Sequence, residues 1–182
     1  MVISQVYGAG GEAGSVWSND FVELFNRSSA PVNLTNWTVQ YANTNSSTWQ
    51  ALVLGVTLQP GQYYLLQLGT SASGGAPLPT ADLTGTTAMN TTLGKVALMP
   101  SRTRISSLCP AAGTWVDFVG YGSAVSCFEG SAPAADLAIA SSALRAGSGC
   151  VDSNNNGTDF SVASASAPGP RNSASPINSC SG

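Results

Sequence analysis

Asp152-Ser153-Asn154-Asn155-Asn156-Gly157-Thr158-Asp159 places oxygen-bearing side chains at alternate positions with glycine at the sixth, the spacing that winds a loop around calcium. The ligands this implies are Asp152, Asn154, Asn156 and Asp159, with Glu23 or Asp20 as donors from elsewhere in the chain. Two features argue the other way. The twelfth position is Ala163, where a bidentate glutamate would close such a loop, and Cys150 precedes it in place of a helix. The alternative is an Asx-rich turn whose side chains cap the backbone.

A second chemistry would be built from carboxylates. The chain has no histidine, which removes Ser/His/Asp and Cys/His nucleophilic schemes and every His-ligated zinc site. Glu23, Asp117 and Glu129 are the nominal acids for glycoside hydrolysis, but nothing in their spacing sets the separation that mechanism needs, so no catalytic residue is assigned. Gly8-Ala9-Gly10-Gly11 lacks the lysine, the spacing and the following helix of a phosphate loop, and reads as a connection between strands. Trp17 and Trp49 lie among Ser, Asn and Thr at strand edges and, with Tyr63 and Tyr64, could form a platform that stacks on sugar rings. Core packing is the alternative. The sequons at Asn26, Asn33, Asn36, Asn45, Asn90 and Asn156 are what a Ser/Thr/Asn-rich composition produces by chance.

Charge narrows the partners. Six Lys+Arg and nine Asp+Glu make only 8% of the 182 residues charged, against about 25% in ordinary soluble proteins. With a net charge of -3 there is no basic stripe to neutralise a phosphate backbone, and Arg102 with Arg104 reads as two solvated loop arginines. Direct nucleic-acid binding is not expected. A hydrophobic content of 43% with four Trp, five Tyr and five Phe is too high for a chain that stays unfolded. No apolar run is long enough for a membrane span, and the chain opens directly on a strand-like pattern, so a secretory signal is expected to have been removed or never to have been present. Cys109, Cys127, Cys150 and Cys180 form no Cys-x-x-Cys and read as structural disulfides. Of three connectivities, 109 with 127 and 150 with 180 is preferred, each closing a loop worth about 3 kcal/mol and implying an oxidising, extracellular or cell-surface setting.

The elements that must position these residues are strands. Period-two alternation marks Val2 to Tyr7, Phe21 to Asn26, Trp37 to Ala42, Gln50 to Leu54, Tyr63 to Leu68, Lys95 to Met99 and Trp115 to Tyr121, while no window holds a helical stripe. The fold expected is an all-β, immunoglobulin-like sandwich of about seven to nine strands, one domain over residues 1–182. Residues 69–94 form a long Gly/Thr/Ser/Pro excursion, ordered by packing or functional; residues 134–146 could be helix, strand or coil; residues 161–182 form a tail tied down by its cysteine. Parity puts Val22 and Leu24 on one face and Phe21, Glu23 and Phe25 on the other, so Glu23 sits between two phenylalanines; likewise Asp117 sits between Trp115 and Val119. A buried acid needs a partner, and Arg145, Lys95 or loop amides are the candidates.

In order along the chain, Val2-Ile3-Ser4-Gln5-Val6-Tyr7-Gly8, Asp20-Phe21-Val22-Glu23-Leu24-Phe25-Asn26, Leu34-Thr35-Asn36-Trp37-Thr38-Val39-Gln40-Tyr41 and Val116-Asp117-Phe118-Val119-Gly120-Tyr121-Gly122 are followed by Arg145, Cys150 to Asn156, Asp159-Phe160 and Pro168-Gly169-Pro170-Arg171-Asn172. This succession resembles the lamin tail domain, an immunoglobulin-like module, and its cysteines and long insertion make it similar to the secreted bacterial branch. The resemblance implies a non-catalytic interaction or attachment module of a secreted or cell-surface protein, accessory to an extracellular hydrolase or nuclease. Its partner would be a protein or a surface polysaccharide. The alternative is a calcium-dependent carbohydrate-binding module, and behind it a carboxylate-based hydrolase.

Overall fold

A computed structural model describes residues 1–69 and 74–180. Its strands are β1 (Val2–Tyr7), β2 (Asp20–Phe25), β3 (Val32–Asn33), β4 (Thr38–Ala42), β5 (Gln50–Val53), β6 (Thr57–Leu58), β7 (Tyr63–Leu68), β8 (Leu83–Thr84), β9 (Gly94–Met99), β10 (Asp117–Tyr121), β11 (Ser141–Arg145) and β12 (Phe160–Ser164). A six-stranded sheet in the order β12-β11-β1-β2-β7-β8 faces a four-stranded sheet in the order β10-β9-β4-β5, and β3 with β6 makes a short ribbon. The result is an immunoglobulin-like all-β sandwich.

Alternation decides what lies between the sheets. Ile3, Val6, Val22, Leu24 and Leu66 from the larger sheet meet Val39, Tyr41, Val96, Leu98, Val119 and Tyr121 from the smaller in one buried cluster. Phe21, Glu23 and Phe25 point the opposite way, as their parity requires. Register slips between Ile3 and Gln5, where Ser4 is the extra residue of a bulge opposite Glu23.

Both outer faces are covered. Over the larger sheet, Tyr7, Phe21 and Leu65 pack with Ala165, Trp17 and Leu78, while Val2, Phe25 and Tyr63 pack with the Cys150–Cys180 disulfide. Over the smaller sheet, Trp49, Ala97, Ile105 and Phe118 pack with Cys127 and Trp115. Side chains of that sheet grip the covering loop by its backbone: Thr38 Oγ1 donates to Ser101 O, Gln40 Nε2 to Thr103 O and Lys95 Nζ to Leu108 O. Gly120 lets the Cys127–Phe128 segment lie close over the same sheet, since a Cβ there would stand 2.1 Å from Cys127 O. Cysteines pair 109 with 127 and 150 with 180.

The residue 134–146 segment, open between helix, strand and coil in the sequence, supplies β11, which lies beside β1. β12, in the segment expected to be a tail, completes that edge. Of the 69–94 excursion, residues 70–73 lie outside the described residues, as do 181 and 182 of the tail. The described part is ordered by packing: Ala76 bridges Trp17, β8 runs parallel to β7, and Asp82 accepts from Leu65 N at 2.7 Å and Ser173 N at 2.9 Å. The tail is held by more than its cysteine, because Ser173 and Arg171 dock on the sheet. No helix of the described residues is long and apolar enough to cross a membrane.

Candidate functional site

β11 ends at Arg145, a fully buried arginine whose guanidinium lies 4.5 Å from the Phe160 ring. Its donors fan out to groups from four parts of the chain. Nε donates to Ile3 O at 2.9 Å, and Nη2 to both oxygens of Asp117 at 2.9 and 2.8 Å. Nη1 reaches Val151 O at 3.3 Å, Asp152 Oδ1 at 3.2 Å and Asp159 Oδ2 at 3.4 Å. Asp117 also accepts from Ile3 N at 2.6 Å. Burial pushes the Asp117 carboxyl up, opposed by Arg145 and the Ile3 amide. For Asp159, burial raises the carboxyl, but hydrogen bonds from the Ser153 hydroxyl and amide, the Asn155 amide and the charge of Arg145 together hold it below its usual value.

Glu23 has a different arginine. Arg171 Nη2 donates to its Oε1 at 2.8 Å, Arg171 Nε to its Oε2 at 3.1 Å and the Arg171 backbone N to Oε2 at 2.7 Å, while Ser4 Oγ adds 2.6 Å to Oε1. The guanidinium lies 3.9 Å from the Tyr63 ring centroid and donates to Tyr63 Oη at 2.8 Å. Of the partners expected for the two acids, Arg145 serves Asp117 alone. Lys95 serves neither: its ammonium is on the outer face of the smaller sheet, bonded to Ser46 O, Leu108 O and Ser126 Oγ, and burial lowers it. Glu23 lies on the outer face of the larger sheet and Asp117 on β10 of the smaller sheet, each neutralised by its own arginine, so they do not form the carboxylate pair of a glycosidase.

The Asn-rich loop does not gather its four expected ligands around one centre. Asp152 pairs with Arg145 and with Arg27. Asn156 is buried against β10, accepting from Gly120 N at 2.8 Å and Glu129 N at 3.0 Å and donating to Phe118 O at 2.8 Å. Asp159 caps the turn by accepting from Ser153 N at 2.9 Å and Asn155 N at 3.3 Å. Asn154 is exposed, with a φ of 55°. An oxygen-rich sequence here satisfies backbone amides and a guanidinium. Asp20 likewise accepts from Gly10 N at 2.8 Å and Met89 N at 2.7 Å, well away from this loop in the chain.

The expected aromatic platform is not formed. Trp49 is completely buried, its indole N–H donating to Ser107 O at 2.9 Å, and Trp17 is half-buried with its N–H on Ala165 O at 2.9 Å. Tyr63 and Tyr64 are buried too. An open cleft of about 330 Å³ backed by the Cys109–Cys127 disulfide is lined by exposed Phe128, half-buried Trp115, Pro110 and the edge of buried Phe118. Phe128 is 36% exposed, and Leu108 and Val116 are exposed as well.

A model of the lamin tail domain family matches residues 1–123. The chain belongs to that family. No curated protein matches it. The family is one of non-enzymatic, immunoglobulin-like interaction modules, and this lamin tail domain has its fold. The matched segment holds β1 to β10, whereas Arg145, Arg171, β11 and β12 lie beyond it yet complete the sheet and neutralise its buried acids.

Three residues escaped the sequence reading of roles. Arg171 was visible only as the end of Pro168-Gly169-Pro170-Arg171, with no local sign of which acid it meets. Trp115 was visible as a strand residue, whereas its strand begins at Asp117 and leaves it on the rim. Glu129 was a nominal acid. The structure buries it beside Asp117 and Asp152, where burial first, and then those two negative charges, push its carboxyl up to about 7.

Proposed function

We propose that this lamin tail domain is an attachment module of a secreted or cell-surface protein, accessory to an extracellular hydrolase or nuclease, that holds a neutral surface polymer. The observation that carries this reading is the contrast between its acids and its aromatics. Glu23 and Asp117 are tied into internal ion pairs, whereas exposed Phe128 and half-buried Trp115 line the open cleft by the Cys109–Cys127 disulfide. Aromatic faces stack on apolar faces of pyranose rings, and a surface with 8% charged residues suits an uncharged polymer better than a phosphate backbone. Two disulfides support the extracellular setting, because such bonds persist in oxidising compartments.

Co-sedimentation with insoluble polysaccharides tests this reading. The wild type is expected to pellet with a neutral glycan, and Trp115→Ala with Phe128→Ala to lower retention about tenfold, the loss of about 1.4 kcal/mol; Phe128→Ala alone should weaken retention at unchanged melting temperature, which separates lost binding from the packing that Trp115 gives Phe118. Retention that survives both substitutions, or the absence of retention on any glycan, overturns it. A second reading, calcium-dependent glycan binding, is favoured by two adjacencies: Phe128 in the cleft is followed directly by the buried Glu129, and Phe118 is preceded by Asp117.

A further inference from the structure

We propose that Asp117, Glu129 and Asp152 form a site for one divalent cation of the calcium class. One oxygen from each of these carboxylates lies within 4.8 Å of the others. Opposed oxygens on a calcium ion bound at 2.3–2.6 Å stand about 5 Å apart, so a single ion can touch all three. The site is distinct from the Asn-rich loop expected from the sequence and shares only Asp152 with it.

Glu129 is the residue that calls for a ligand. It is 5% exposed and its Oε2 is buried with no hydrogen-bond partner, although every other carboxylate at this centre is bonded. Isolated buried carboxylate oxygens are costly, and an ion or a proton must relieve the cost. Charge favours the ion. Asp117, Glu129, Asp152 and Asp159 are four carboxylates, and the guanidiniums paired with them are those of Arg145 and Arg27; even with the Met1 amino group, which feels the charges of Asp117 and Asp152 and is lowered by burial, the carboxylates outnumber the cations.

Glu129 is also held where it is by design of the backbone. Its N–H donates to Asn156 Oδ1 at 3.0 Å and its carbonyl accepts from Asn156 N at 2.9 Å. The next residue, Gly130, has a φ of 83°, and a Cβ there would stand 2.5 Å from Asn155 Cα. This grip sets the Glu129 loop against the Asp152 loop. Carboxylates alone favour a hard cation, and an irregular arrangement completed by water suits calcium better than magnesium, which demands near-octahedral geometry. The ion would fasten the loop that carries Phe128 to β10; the site itself does not depend on what the cleft binds.

Calorimetric titration of the EDTA-dialysed domain with calcium chloride tests the site, with melting temperature as a second readout. One ion per chain and a rise in melting temperature are expected at about 10 mM calcium, above the about 0.1–1 mM dissociation constants of extracellular modules. Glu129→Gln and Asp152→Asn are expected to abolish both signals. Asn154→Gly, which touches only the Asn-rich loop, should keep them. Glu129→Gln should melt no lower than the wild type in EDTA, which separates loss of a ligand from loss of the fold. No heat and no thermal shift in the wild type overturn the proposal, since Glu129 would then be relieved by a proton. A calcium response that survives Glu129→Gln, or is lost in Asn154→Gly, overturns it in favour of the loop.

Discussion

Arg145 at the end of β11 and Asp117 at the start of β10 join the two sheets of the sandwich through a buried ion pair of 2.8 Å. β1 passes between them in a chemical sense: Ile3 gives its N–H to Asp117 and its carbonyl accepts from Arg145. The pairing of β1 with β11 runs through Gln5 and Val6, and beyond it the arginine side chain takes over the bonding of Ile3.

Removing this arginine should be among the most damaging single changes. Arg145→Met leaves Asp117 and Asp159 buried without a cation, and the expected loss is about 3–5 kcal/mol of unfolding free energy. Pairing it with Asp117→Leu should recover part of that loss, because the uncompensated charge goes too. Urea unfolding of the three variants checks both outcomes.

Arg171 should act on the tail first. Arg171→Ala strips the cation from a fully buried Glu23 and the stack from Tyr63. A loss of about 3 kcal/mol is expected, with cleavage by a non-specific protease appearing first between Ala165 and the Cys180 disulfide. Mass spectrometry of the nicked, still disulfide-linked product locates the cut. Cleavage spread evenly over the sandwich would show that Arg171 does not anchor the tail locally.

Asp20 makes stability depend on pH. Burial pushes its carboxyl up to about 6, against hydrogen bonds from the Met89 and Gly10 amides, and the charge of Glu12 adds to the rise. The unfolded chain releases this proton near the ordinary aspartate value of 3.8, so between that value and about 6 the folded state binds more protons. Stability contributed at this position therefore falls as pH rises through that window and stays level above it, by on the order of 2 kcal/mol. Unfolding measured at intervals from acid to neutral pH should show the fall. Asp20→Asn should flatten the part of the slope between the two values, leaving the fall due to Glu129, which extends to about 7.

Much of the scaffold is written locally in the chain. Val22 and Leu24 against Phe21, Glu23 and Phe25 assign themselves to opposite faces because side chains alternate along a strand whatever its neighbours are. The composition likewise set an almost uncharged surface and a chain without histidine chemistry. Ser141-Ser142-Ala143-Leu144 shows no comparable alternation, and β11 exists because β1 and β12 flank it. The partners of the acids were settled only by the fold. Glu23 and Arg171 are 148 residues apart, and no local pattern ranks Arg171 above Arg145 or Lys95 for that role. The same holds for Trp49, polar in its sequence surroundings yet buried by the loop through Ser107, and for Glu129, drawn to Asp117 and Asp152 by Asn156. Periodicity is a property of neighbouring residues and so can be read along the chain. Burial and charge pairing are properties of surfaces that meet only after the chain has closed long loops, and in this domain those meetings decide the centre.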